Sequence, residues 1–290
     1  MEQQLKQACA CLLPERRQAL ARLPIDTQAR CEELRLRVEQ PMQIVIGGSE
    51  QRVGESVFHS AEIKDTLERS AEYSLHTCAD SLRQGFLTMR GGHRVGVCGQ
   101  TAVQDGAMLS FRSISSLNIR IARQIKGAAS SELLRQIRDG THLHNTLFLS
   151  PPGWGKTTLL RDIARQLADA GVRTAVADER AELAALYHGV PQFDIGRHTD
   201  VIDGCPKAQA AMMLVKTMSP QLLLLDEITS EADIYAAECA AHCGTAVFAS
   251  AHAWDLEDFQ LRPLYQRLQE RKIFTRIFCI EQGHQVTRLI

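Results

Sequence analysis

The stretch Ser150-Pro151-Pro152-Gly153-Trp154-Gly155-Lys156-Thr157 constrains the fold of this chain more than any other. It follows the apolar run Thr146-Leu147-Phe148-Leu149. It precedes Thr158-Leu159-Leu160-Arg161-Asp162-Ile163-Ala164-Arg165, which reads as a helix. Strand, glycine-bearing turn and helix in that order are the context a phosphate-binding loop needs. Successive backbone N–H groups of such a turn converge on a phosphate at the positive end of the helix dipole. Gly153 and Gly155 accept backbone angles closed to other residues and let the chain approach phosphate oxygens. Lys156 is expected to bridge the β- and γ-phosphates, and the Thr157 hydroxyl to ligate Mg²⁺. ATP and Mg²⁺ are therefore the implied cofactors, with Ser150, Pro151, Pro152, Trp154 and Thr158 completing the loop around the phosphates. Ser150 stands where the pattern has its first glycine.

A phosphate loop needs a metal-organising acid on another strand, and Gln221-Leu222-Leu223-Leu224-Leu225-Asp226-Glu227 supplies it. A buried parallel strand is apolar throughout, and its end delivers Asp226 and Glu227 to the ligand edge of the sheet. Asp226 is placed to organise the metal, and Glu227 to orient and deprotonate an attacking water. Arg173-Thr174-Ala175-Val176-Ala177 ends in Asp178-Glu179-Arg180, so Glu179 joins the catalytic candidates. Ala246-Val247-Phe248-Ala249-Ser250 ends in Ala251-His252, where Ser250 or His252 is placed to sense a γ-phosphate.

From Thr146 onward, strand and helix patterns alternate, which implies a mostly parallel sheet with helices on both faces. The expected strands are Thr146–Leu149, Arg173–Ala177, Leu222–Leu225, Ala246–Ser250 and Arg276–Ile280. Gly196 to Lys207 reads as a polar, glycine-punctuated loop before a helix at Ala208–Met218. Upstream, a helical start to about Ala29 leads into strands around Cys31–Val38 and Gln43–Ile46. A helical pattern follows from Ala61 to Leu87, then strands at Gly91–Gly99 and Ser116–Ile121. This reads as a small α+β domain at residues 1–127, before an ATPase domain at 128–290.

Composition narrows the partners. A net charge of −1 over 290 residues does not nominate nucleic acid, and the first domain lacks an interleaved basic and aromatic strip. No apolar run approaches the ~18 residues of a membrane span. The start, Met-Glu-Gln-Gln-Leu-Lys, lacks the basic and apolar regions of a secretory signal, so a cytoplasmic protein is expected. The nine cysteines read as small buried hydrophobes. Cys239, His242 and Cys243 share a helix face, which reads as core packing because no second ligand pair follows. An arginine from a neighbouring subunit can neutralise charge on a transferred phosphate; Arg94, Arg112, Arg120, Arg123 and Arg197 are the candidates.

The residues taken together resemble a known family. Ser-Leu-Asn-Ile-Arg-Ile-Ala-Arg, Pro-Pro-Gly-Trp-Gly-Lys-Thr-Thr-Leu-Leu-Arg-Asp, Ala-Asp-Glu-Arg-Ala-Glu-Leu-Ala-Ala, Thr-Asp-Val-Ile-Asp-Gly-Cys-Pro-Lys-Ala and Lys-Thr-Met-Ser-Pro-Gln…Asp-Glu-Ile are similar to the family of stage III sporulation protein AA. That family is the ATPase of the channel apparatus between mother cell and forespore, and in turn looks like the type II and type IV secretion ATPases. The resemblance implies an α/β fold with a RecA-like P-loop core after a small N-terminal domain. It also implies a homo-hexamer, membrane-embedded channel partners and a peripheral place at the cytoplasmic face of a membrane. By the same resemblance, Asp178-Glu179-Arg180 stands near an acidic box and His252 near a histidine box. The chain departs from the family pattern at Ser150, His198, Thr229 and Ala253. Two other readings share the same core: a RecA-like ATPase acting on nucleic acid, and a scaffold ordered by ATP without motor action.

Overall fold

Leu222, Leu223, Leu224 and Leu225 are all fully buried in the computed structural model, as a central strand covered on both faces must be. The structure describes residues 1–74, 78–104, 107–283 and 285–290. They form two compact units: Met1–Arg123 with Tyr187–Gln192, and Gln124–Leu186 with Phe193–Ile290.

The second unit is built on a seven-stranded sheet. Its order is Thr199–Asp203, Thr174–Asp178, Leu222–Leu225, Ala246–Ala251, Thr146–Leu149, Arg276–Ile280 and Val286–Arg288. The first six run parallel and the last is antiparallel. Alternate side chains enter two cores. Leu147, Leu149, Leu223, Leu225, Val247 and Ala249 pack toward the helices Lys207–Met218, Glu231–His242, Leu256–Leu261 and Pro263–Glu270. Phe148, Val176, Leu222, Leu224, Phe248 and Phe278 pack toward Ser131–Gln136 and Lys156–Asp169. The period of two along each strand thus divides one apolar run between both faces.

Two strands of this sheet lie outside the expected set. Thr199–Asp203 lies inside the stretch the sequence reads as a loop. It pairs in parallel with Thr174–Asp178 at the sheet edge, where one side of the ladder faces away from the sheet and polar residues are tolerated. Val286–Arg288 closes the other edge as a hairpin with Arg276–Ile280. Gly196 sets the approach to the first of them. It has φ +86°, and a Cβ there would lie 2.6 Å from both the Ala168 Cβ and the Arg165 carbonyl.

The first unit carries a six-stranded antiparallel sheet in the order Ser49–Val57, Pro41–Ile46, Glu33–Arg37, Ala107–Arg120, Arg94–Gln104, Phe86–Thr88. The N-terminal helical reading resolves into three short helices, Gln3–Ala8, Pro14–Ala21 and Ile25–Arg30. The first two, with Ser60–Ser70, cover the sheet around Leu5, Leu20, Leu36, Phe58, Ile63 and Val95. Arg16 is buried among them with its guanidinium 4.0 Å from the Phe58 ring, and is paired to Glu62 at 2.8 Å. Phe86, assigned to a helix by its spacing, starts a strand instead, because it pairs with Gly96 in a hairpin the local pattern does not show. The part of that helical pattern at 75–77 lies outside the described residues. Tyr187–Gln192 adds to this unit through Gln192, whose Oε1 accepts the Gly91 N–H at 2.7 Å.

Candidate nucleotide site

The Thr146–Leu149 strand ends at Ser150, and the helix Lys156–Asp169 begins six residues later with Gly155 at its N-cap. Within this loop only Gly153 (φ +80°) and Gly155 (φ +92°) take positive φ. Ser150 therefore sits in ordinary backbone, and the missing first glycine carries no strain. Ser150 is fully buried and faces Lys156. The Lys156 ammonium donates to the Ser150 carbonyl at 2.8 Å and the Pro151 carbonyl at 2.9 Å, with Ser150 Oγ 3.2 Å away. It also lies 2.8 Å from His252 Nδ1. Burial pulls the Lys156 amine down to about 8, against the opposing pull of Glu227 and Asp226.

Asp226 and Glu227 emerge together from the Leu222–Leu225 strand and take different partners. Thr157 Oγ1 donates to Asp226 Oδ2 at 3.1 Å, and Ser250 Oγ donates to Asp226 Oδ1 at 3.0 Å. Burial pushes the Asp226 carboxyl up to about 6, with Glu182 and Asp178 adding to the rise. Glu227 has φ +56°, a left-handed conformation that a branched or charged side chain rarely adopts. Its N–H donates to Ser250 Oγ at 2.9 Å, and its carbonyl accepts from the Lys207 ammonium. Its Oε1 lies 3.0 Å from His252 Nε2 and its Oε2 3.7 Å from Arg180 Nη1.

These contacts assign the His252 tautomer. The Lys156 ammonium has no lone pair, so Nδ1 accepts; Nε2 then carries the proton and donates to Glu227. A neutral imidazole thus joins the phosphate-loop lysine to the carboxylate at the end of the neighbouring strand. The His252 N–H is anchored by the Tyr265 hydroxyl at 3.1 Å, which keeps the backbone at the strand end in place.

The set fits the implied cofactors. The Thr157 hydroxyl and the Asp226 carboxylate are hard oxygen donors held 3.1 Å apart, which suits Mg²⁺. Burial, with anionic neighbours adding to it, raises Asp226, and a divalent cation relieves both. Beside the loop, Ile125, Trp154, Thr158, Leu159, Ile280 and Val286 line an apolar hollow of about 130 Å³. A roomier cavity, about 440 Å³ around His142, Asn145, Arg173 and Gln221, is lined by none of the candidate site residues.

The structure treats the other sequence candidates unequally. Asp178 is buried, and its carboxylate accepts the N–H groups of Glu182, Leu183 and Ala184 at 2.8–3.1 Å, so it organises backbone. Glu179 is exposed, stands 3.8 Å from Lys207, and lines the same small cleft as Asp226 and Glu227. Among the arginines, Arg94 lies over the Phe86 ring, Arg120 stands 3.5 Å from Glu33, and Arg123 donates to the Cys31 carbonyl. Arg112 and Arg197 are exposed. His198 turns its Nδ1 to the Ala168 carbonyl at 2.9 Å. The Cys239–His242–Cys243 face is not core: Cys239 is half-buried and the other two are exposed, because that helix turns Ala236, Ala237 and Ala240 to the core instead. Among the described residues no cluster of His, Cys, Asp and Glu could hold a metal by itself.

Two buried cations escape a reading of the sequence. Arg161, one turn into the phosphate-loop helix, donates to the Leu183 carbonyl at 2.8 Å and packs on the Phe193 ring at 3.9 Å. Lys207 opens the helix Lys207–Met218 and is almost wholly buried. A charged residue at helical spacing looks like a solvated one, so only the apolar residues around each cation hint at its burial.

Comparison with known proteins places this arrangement. The profile of the family described as "Sporulation stage III, protein AA" matches residues 2–289. Stage III sporulation protein AA of Bacillus subtilis (strain 168) is 40% identical over 273 residues, covering 91% of this chain and 87% of that protein. The protein SEEDLING PLASTID DEVELOPMENT 1 of Arabidopsis thaliana is 30% identical over 157 residues, 53% of this chain and 22% of that one. Among solved structures, the ATPase DotB of Yersinia pseudotuberculosis matches with a TM-score of 0.60 at 13% identity, over 96% of this chain and 79% of that one. The pilus retraction motor PilT with bound ADP matches at 0.58 and 14%, over 92% and 82%. The structural likeness is one of fold, and the fold is the RecA-like P-loop arrangement.

Proposed function

This chain belongs to the sporulation stage III, protein AA family, and on that premise we propose that it is an ATP-hydrolysing motor serving a membrane-embedded, secretion-like channel between mother cell and forespore. The observation that carries the proposal is the continuous set Lys156–His252–Glu227 beside Thr157–Asp226. A phosphate-binding cation, a metal-binding pair and a general base lie together at one sheet edge.

The loop amides of 151–157 and the Lys156 ammonium bind the phosphates, Lys156 exchanging the Ser150 and Pro151 carbonyls for phosphate oxygens. Pro151, Pro152, Gly153, Trp154 and Gly155 shape the loop, Thr158 continues it into the helix, and the hollow beside Trp154 receives the base. Thr157 and Asp226 would hold Mg²⁺, which would supply charge neutralisation on the phosphate oxygens. Glu227 takes the proton from the attacking water. His252 links that carboxylate to Lys156, so a change of position at the lysine alters the hydrogen bond that orients the base. Glu179 supplies a second carboxylate at the rim of the same cleft.

A homo-hexamer suits such a site, because an arginine of a neighbouring subunit completes the charge balance on the transferred phosphate. Exposed Arg112 and Arg197 are the residues to test first in that role. Among the described residues no helix is long and apolar enough to cross a membrane. In this reading the motor docks to membrane-embedded partners from the cytoplasmic face.

The test is Glu227→Gln with the purified protein. Replacing the base should lower kcat for ATP by about 10²–10⁴-fold while leaving ATP binding intact. Sporulation of a strain carrying this variant separates motor from scaffold: a motor fails with trapped ATP, and a scaffold still works. Tight, salt-sensitive binding of single-stranded DNA would favour the nucleic-acid reading instead.

A further inference from the structure

Lys207 is the least expected charge near the site. It is the first residue of a helix, where a cation opposes the helix dipole, so helix stability does not account for it. Its side chain is only 6% exposed, which for an ammonium is costly without close partners. The carboxylates nearby are not its closest ones: Asp233 Oδ2 is 3.6 Å away and Glu179 Oε2 3.8 Å. Asp233 is moreover occupied, accepting the Thr229 and Ser230 N–H groups at 2.9 and 3.0 Å. The short contact of the Lys207 ammonium is to the backbone carbonyl of Glu227.

That carbonyl belongs to the residue with φ +56°. Such a conformation at a non-glycine residue is strained and persists only where the surroundings over-determine it. Here they do so from both sides. The Glu227 N–H is held by Ser250 Oγ, and the following N–H, of Ile228, by the Ser250 carbonyl at 2.8 Å. Lys207 alone, among the described contacts, holds the Glu227 carbonyl from the opposite side.

We propose that Lys207 is a positioning residue for hydrolysis: its ammonium pins the Glu227 peptide in the left-handed conformation that aims the carboxylate at His252 and the phosphate loop. This rests on the ATPase reading above. Because Lys207 directly follows the edge strand Thr199–Asp203 and the turn at Gly204–Pro206, a displacement of that segment is transmitted to the catalytic base through one hydrogen bond.

The test uses Lys207→Met in the full chain, with Lys207→Gln as a second variant should the first fail to fold. Loss of positioning should lower kcat by about 100-fold while the affinity for a fluorescent ATP analogue stays unchanged. In a Glu227→Ala background the same substitution should cost nothing further, since the group it positions is gone; an equal additional loss there would overturn the proposal. The crystal structure of the variant reads positioning without catalysis. Glu227 leaving the left-handed region supports the proposal, and a Glu227 backbone and carboxylate in their original places refute it. Should the wild-type protein hydrolyse no ATP, the proposed function falls, and the crystal structure still decides the role of Lys207.

Discussion

Lys156, Thr157, Asp226 and Glu227 are legible in the sequence because each belongs to a short stretch whose neighbours dictate its place. A glycine-bearing turn can hardly present its lysine elsewhere, and four consecutive leucines must end at an edge. His252 is legible only as a strand end; that its two ring nitrogens join Lys156 to Glu227 follows from the order of strands, which places Ala246–Ala251 between Leu222–Leu225 and Thr146–Leu149. Lys207 and Arg161 are not legible, since their burial depends on chain segments distant in sequence. His93 is a third such case, and it yields a prediction. It is fully buried, its Nδ1 accepts the Ala122 N–H at 3.0 Å, and its Nε2 has no partner among the described residues. Burial lowers its pKa from 6.5 to about 4. The unfolded chain therefore binds a proton below pH 6.5 that the folded one refuses until about pH 4. Stability conferred by the neutral imidazole is complete above pH 6.5 and is lost as pH falls, approaching ~3 kcal/mol near pH 4. Urea unfolding of wild type and His93→Gln across pH 7.5 to 4.5 should show the wild type losing ground as acid is added. A difference independent of pH would contradict the assignment.

At the scale of elements, strands buried on both faces were the readable ones. Thr146–Leu149, Leu222–Leu225 and Arg276–Ile280 match their expected bounds, and Thr174–Asp178 and Ala246–Ala251 lie within a residue of them. Their uniform apolar character comes from covering helices on both sides, and no loop reproduces it. Edge elements carry no such mark. Thr199–Asp203 is polar at alternate positions and borders glycines, so the same residues that make a tolerable edge also describe a loop. Its seat depends on Gly196 passing close to the phosphate-loop helix. Gly196→Ala forces a Cβ to within 2.6 Å of Ala168 and Arg165 in a left-handed backbone. It should destabilise the chain by at least ~1 kcal/mol, read as a lower urea midpoint with an unchanged slope. An unaltered midpoint would mean that this segment is not fixed against the helix.

At the scale of the whole molecule, in the proposed motor the second unit is the engine and the first carries its work to a partner. The chemistry is confined to the second unit, whereas the first, an antiparallel sheet covered by helices, contributes none of the phosphate-loop or metal-binding candidates. Sequence alone could not show that Tyr187–Gln192, from within the second half of the chain, belongs to the first unit. Six short residues carry no compositional signal for leaving one unit and returning. Oligomerisation is where the whole-molecule claim is exposed to test, because an interfacial site cannot be complete in a monomer. The most direct measurement is steady-state ATP hydrolysis against protein concentration, with Lys156→Ala as control. The account predicts a rate per subunit that climbs with concentration and vanishes in the variant. A protein that hydrolyses no ATP at any concentration, or a residual rate that Lys156→Ala leaves unchanged, would contradict it.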